Sequence, residues 1–109
     1  MLPFELEIRY WFDDGGTSPF EEWFDDLDSR AAARVTVALK RLENGNTSNV
    51  ETIGGGVSEL KIDFGPGYRV YFGRDGQRLV ILLAGGTKKR QQKDIDAAKI
   101  RWRSYLAHR

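Results

Sequence analysis

The stretch VSELKIDFGPGYRVYFGRDGQRLVILLA, residues 57–84, decides the fold. Two glycine-bearing breaks divide it into three runs, Val57–Phe64, Tyr68–Gly73 and Arg78–Ala84. Alternating apolar and polar residues between turn signals are the pattern of half-buried strands. Gly65-Pro66-Gly67 supplies a tight turn and Asp75-Gly76 a hairpin turn, so the runs read as an antiparallel meander. Symmetric pairing about the turns sets residues 62 and 61 opposite 70 and 71, and residues 72 and 70 opposite 79 and 81. That register predicts one core face made of Leu60, Ile62, Phe64, Tyr68, Val70, Phe72, Leu79, Ile81 and Leu83. Glu59, Lys61, Asp63, Arg69 and Tyr71 share the other face, flanked by Val80, Leu82 and Ala84. A last run apolar on both sides implies that something covers part of that second face.

Outward from the meander, Phe4, Leu6, Ile8 and Tyr10 alternate with Glu5, Glu7 and Arg9, an N-terminal strand. Ser18-Pro19-Phe20-Glu21 is a capping box with proline at the first helical position, and Phe20, Trp23, Phe24 and Leu27 follow at helical spacing. Asp28 or Ser29 caps a second helix with the stripe Val35, Ala38, Leu39 and Leu42, which stops at Asn44-Gly45. Residues 44–56, rich in Gly, Asn, Thr and Ser, read as a loop. After Gly85-Gly86-Thr87 a final helix runs from about Lys88 to Ala107 along Ile95, Ala98, Trp102 and Tyr105. The order β-α-α-β-β-β-α predicts an α+β fold: N-terminal strand, helical hairpin, antiparallel three-strand meander and C-terminal helix. The 109 residues suffice for one domain with one core, over residues 1–109.

Composition narrows the function classes. With no cysteine, disulfides, thiolate nucleophiles and Cys-zinc sites are excluded. The longest apolar run, Leu79–Ala84, is too short to cross a bilayer. No basic stretch followed by an apolar one opens the chain, so no secretory signal is expected and a cytoplasmic location fits. The net charge of +1 hides an asymmetry: residues 1–56 carry five Lys/Arg and eleven Asp/Glu, residues 57–109 twelve and five. A basic half on a small body is a candidate nucleic-acid footprint, unless the charges mix again in three dimensions.

Two groups of residues could hold an anion. Lys61 and Arg69 share the partly covered sheet face, where poor screening would strengthen their grip. The competing reading is that Asp63 simply pairs across the strands with Arg69. Lys88, Lys89, Arg90 and Lys93, with Gln92 among them, crowd the first turns of the final helix. There the helix dipole adds positive charge and suits a phosphate, and Gly85-Gly86 would let a backbone come close. The competing reading is a set of solvated cations. Tyr71 and Trp102 could stack on bases, although Trp102 sits on the apolar line of its helix and fits the core.

Other signals are weaker. His108 is the only histidine and excludes a two-histidine ribonuclease. Gly54-Gly55-Gly56 lacks the Lys-Ser/Thr of a phosphate loop. Glu59-Leu60-Lys61 matches the Glu-x-Lys half of a metal-dependent nuclease site but has no Pro-Asp strand before it. No metal or cofactor is expected.

Phe20–Trp23 with its helix pair, Arg41-Leu42-Glu43-Asn44-Gly45-Asn46, Val57–Ile62, Phe64–Phe72 and Leu82–Ile95 together resemble the HigB-like toxins of the RelE/ParE superfamily, also described as phage-derived host-killing or addiction-module killer proteins. The resemblance spans nearly the whole chain, and its Gly-Pro-Gly-Tyr-Arg-Val-Tyr-Phe and Gly-Gly-x-Lys segments are specific. It implies a RelE-like fold and a type II toxin neutralised by a cognate antitoxin with a helix-turn-helix domain, operator DNA being bound only through that complex. It implies a metal-independent endoribonuclease that cleaves mRNA at the ribosome. By resemblance Arg69 would hold the charge developing on phosphorus, Lys61 and Lys88 would assist or move protons, and Tyr71 would orient the nucleotide. Lys89, Arg90, Gln92 and Lys93 would bind the nucleic acid. The departures are a lysine rather than an arginine at position 61 and no histidine near these residues, which leaves the proton donor and acceptor unassigned. ParE-like members of the same superfamily inhibit DNA gyrase instead, and fold alone does not separate the two. A non-enzymatic nucleic-acid-binding module is a third reading.

Overall fold

A computed structural model describes residues 5–109. The expected start of the first strand at Phe4 lies outside them. Five strands form one sheet in the order β1-β5-β4-β3-β2. They are β1 (Glu7–Tyr10), β2 (Val50–Gly54), β3 (Val57–Ile62), β4 (Tyr68–Asp75) and β5 (Leu79–Thr87). β1 runs parallel to β5, and the other neighbours pair antiparallel. Helices α1 (Pro19–Asp25) and α2 (Ser29–Glu43) precede β2, and α3 (Gln91–His108) ends the chain. The fold is α+β, with β2 as a strand that the Gly- and Asn-rich composition of residues 44–56 concealed.

The caps form as the sequence predicts. The Ser18 hydroxyl accepts from the Glu21 N–H at 3.1 Å, and the Asp28 carboxylate from the Ala31 N–H at 2.9 Å. Each supplies a partner to an N–H that the helix start leaves unsatisfied.

The helices cover opposite faces of the sheet. Phe20 of α1 and Val35 and Leu42 of α2 pack on Leu60, Ile62, Val70, Phe72, Val80 and Leu82. Ala98 and Trp102 of α3 pack on Val57, Tyr71, Ile81, Leu83 and Ala84. The residues of β3 and β4 fall on the faces expected of them. Their register is displaced by two, with Lys61 opposite Arg69 and Leu60 opposite Val70, and an even shift preserves sidedness.

For β5 the expected sidedness is overturned. The second turn is Gly76-Gln77-Arg78, Asp75 stands opposite Leu79, and Phe72 opposite Leu82. That is an odd shift from the symmetric register, so Leu79, Ile81 and Leu83 face α3 while Val80 and Leu82 face the helical hairpin. A bulge between Tyr71 and Phe72 then sets Tyr71 opposite Ala84 and leaves both Leu83 and Ala84 in the α3 cluster.

Glycines of the strands and of the β2–β3 turn seat the tryptophans. A Cβ on Gly73 or on Gly56 would overlap the Trp102 indole, and one on Gly85 would overlap Trp23. Trp102 also stacks on Tyr105, with ring centroids 5.2 Å apart. Gly85 and Gly86 are therefore part of β5 and are filled from within, Gly86 by the Asp94 carboxylate. This corrects the expectation that they interrupt the strand and admit a ligand's backbone. Trp102 is core.

Candidate nucleic-acid interface

Arg69 lies in the middle strand of the sheet, with Lys61 across from it on β3 and Gly86 on β5. Two residues beyond Gly86 the chain leaves the sheet as a short 3-10 turn, Lys88–Arg90. The Lys88 N–H donates to the Gly67 carbonyl at 2.9 Å, tying that turn to the loop between β3 and β4. Gly67, at φ +80°, lies between the two residues: a Cβ there would sit 3.6 Å from Arg69 Nη1 and 3.7 Å from Lys88 Cβ. The Arg69 guanidinium and the base of the Lys88 side chain thus meet at one glycine whose conformation disfavours any side chain.

Lys61 belongs to the same face but is diverted. Its ammonium pairs with Glu51 of β2 at 2.7 Å, with its side chain 47% exposed, and beside it the Glu51 carboxyl titrates below its ordinary value. The pair is open to solvent, so its contribution is small and a phosphate can compete for the lysine. Asp63 lies beyond the end of β3, and the competing reading of an Asp63–Arg69 pair gives way to Lys61 standing opposite Arg69.

The partner of Arg69 is Glu59. Its carboxylate Oε1 lies 3.4 Å from Arg69 Nε, with the two side chains 1% and 12% exposed. Gln91, the first residue of α3, donates its Nε2 to the other oxygen of Glu59 at 2.8 Å. With both oxygens turned to protein groups, the Glu-x-Lys reading as half a metal site loses its carboxylate. Nothing in the local pattern marked Glu59 as buried, because a glutamate on an alternating strand reads as a solvent position.

Tyr71 is also turned inward. It faces Glu59 across the strands and is fully buried in the α3 cluster, so it offers no ring face to a base. This corrects the base stacking read for Tyr71 from the sequence. Burial first, then the neighbouring Glu59 carboxylate, push its phenol well above the ordinary value, while Arg69 opposes the shift. No hydrogen bond of good geometry reaches its hydroxyl. Asp94 faces the same region from α3, its carboxyl raised by burial against the opposing pull of Arg90, Arg101 and Lys93.

Lys88, Lys89, Arg90, Gln92 and Lys93 are all exposed. The first three stand on the 3-10 turn rather than in the helix, and Gln92 is engaged with Asp96 at 2.9 Å. A cavity of about 460 Å³ between β1 and α2, lined by Ile8, Tyr10, Leu39 and Lys40, includes none of these residues. The cationic set is an open face of the molecule.

Residues 22–103 match the sequence model of the family described as phage derived protein Gp49-like (DUF891). This chain belongs to the Gp49-like family. The matched segment contains β2 to β5, the turn and most of α3, and so every residue of the candidate interface. The chain is also 44% identical, over 85 residues, to an uncharacterized protein of Haemophilus influenzae (strain Rd); the match covers 77% of this chain and 86% of that one.

Proposed function

We propose that this Gp49-like protein is the toxin of a toxin–antitoxin module and acts as an mRNA endoribonuclease in the cytoplasm. The observation that supports this best is the tie at Gly67 between the Arg69 guanidinium and the turn that carries Lys88, next to Lys61 and the exposed Lys89, Arg90, Gln92 and Lys93. In the proposed reaction a substrate 2′-hydroxyl attacks the adjacent phosphorus. The O2′–P bond forms and the P–O5′ bond breaks, leaving a cyclic phosphate and a 5′-hydroxyl. Arg69 holds the charge that grows on the phosphoryl oxygens, with Lys88 and Lys61 beside it. The 2′-hydroxyl proton passes to solvent and a protonated lysine of this set gives one to the leaving O5′, being reprotonated from solvent, since the sole histidine, His108, is at the far end of α3. Lys89, Arg90, Gln92 and Lys93 carry the neighbouring phosphates. The partner proposed for neutralising the protein is a helix-turn-helix antitoxin.

The test is induced expression in growing cells with mapping of mRNA 5′ ends, paired with cleavage of transcripts by purified protein in EDTA. Cut transcripts with new 5′-hydroxyl ends, and cleavage that survives EDTA, are the expected results. Intact mRNA with damaged DNA would select gyrase inhibition, and loss of cleavage in EDTA would revive a metal-dependent mechanism.

The exposed cations make a second prediction. Replacing Lys89, Arg90 and Lys93 together by alanine should weaken single-stranded RNA binding. The slope of log K against log salt should become shallower by about 2, since each lost phosphate contact removes roughly 0.7. An unchanged slope would take the segment out of the interface.

A further inference from the structure

Among the described residues Glu59 is the only charged residue that is fully buried. A carboxylate in such a place needs compensating partners, and replacing a buried ion pair by apolar residues is often neutral or stabilising. Stability therefore does not account for Glu59, but its geometry suggests a role. Arg69 is held at the Nε edge of its guanidinium, 3.4 Å from Glu59 Oε1, while Nη1 lies beside Gly67 and 3.5 Å from the Tyr68 carbonyl. The second carboxylate oxygen takes the Gln91 amide at 2.8 Å. Gln91 directly follows the turn that carries Lys88.

We infer that Glu59 is a positioning residue for the phosphodiester site. By pairing with the inner edge of Arg69 it turns the terminal nitrogens toward the surface. By accepting from Gln91 it fixes the Lys88–Arg90 turn in the same frame, so that two cationic elements from different parts of the chain address one phosphate. The carboxylate itself does not reach substrate, since it is closed to solvent and both its oxygens face protein groups. This inference rests on the reading that Arg69 contacts a phosphodiester.

The experiment compares wild type, Glu59→Gln, Arg69→Lys and the double variant, each checked for folding by circular dichroism and thermal melting. The first readout is the rate at which phenylglyoxal modifies Arg69, followed by mass spectrometry, which needs no substrate. The second is the affinity for a 2′-deoxy-substituted oligonucleotide that cannot be cleaved. Glu59→Gln should raise the Arg69 modification rate several-fold and weaken binding about tenfold, as the loss of one buried ion-pair contact that orients the guanidinium. In the Arg69→Lys background the same change should have little further effect on binding, because both substitutions act through one contact. Unchanged Arg69 reactivity in a folded Glu59→Gln protein, or strictly additive losses, would overturn the inference. Should Glu59→Gln fail to fold, Glu59→Asp, which keeps the charge and shortens its reach, carries the same expectations. A wild type that neither binds nor cleaves RNA would sink the proposed function, while the modification rates would still decide whether Glu59 holds Arg69.

Discussion

Arg69→Ala is expected to abolish RNA cleavage and growth arrest, and separately to lower stability by about 3–5 kcal/mol. The two effects have different origins. Loss of activity follows from removing the cation that faces the phosphoryl oxygens, a class of change worth about 10²–10³ in rate. Loss of stability follows from stranding the Glu59 carboxylate, 1% exposed, without its ionic partner. Because a poorly folded variant would also be inactive, Arg69→Ala needs two companions. Arg69→Lys keeps a positive charge near Glu59 but loses the planar fork, so it should remain folded and still lose at least about tenfold in activity. Glu59→Gln combined with Arg69→Ala removes both charges, and should recover most of the melting temperature without recovering cleavage. A well-expressed, fully toxic Arg69→Ala protein would remove this residue from the mechanism.

Trp102→Ala should destabilise the fold by about 3–5 kcal/mol, the usual cost of deleting a buried tryptophan. Its ring is sandwiched between Tyr105 and the bare backbone at Gly73 and Gly56, so nothing nearby can collapse into the space. Set against the roughly 5–15 kcal/mol that hold a typical domain together, the loss should lower the melting temperature by about 15 °C or more. The expected signature is soluble yield and melting temperature falling together. A folded, thermally unchanged Trp102→Ala protein that had lost only RNA affinity would instead restore the base-stacking role.

Much of this architecture is legible in the chain because local chemistry and tertiary placement agree. Ser18 and Asp28 cap helices as their positions promise, and the Ile95, Ala98, Trp102, Tyr105 line is the buried face of α3. β5 shows where legibility stops. Val80 to Leu83 are apolar without alternation, so the pattern along the strand does not say which side each occupies. Only the length of the turn at Gly76-Gln77-Arg78 and the bulge at Leu83 decide it. β2 was hidden for the opposite reason. It is a short edge strand of mixed composition, whose pairing with β3 owes more to Val50 meeting Leu60 than to its own propensity.

The candidate interface divides in the same way. Arg69, Lys61 and Lys88 were readable from alternation and from the clustering of cations near a helix start. Glu59 and Gln91 were not, since their burial depends on α3 folding back across the sheet. Tyr71 misled for a related reason: its face was read correctly, but α3 covers that part of the face.

The sheet order has a practical corollary for handling the protein. β5 is sealed on one flank by a strand from the opposite end of the sequence, only four residues long. Trimming the amino terminus past Tyr10 would leave the Leu79–Leu82 backbone with open hydrogen-bonding groups along a greasy, two-sided ribbon. Such an edge invites other chains to add to it. Shortened forms of this molecule should therefore be handled as clumping hazards, and purification handles belong at the carboxyl end.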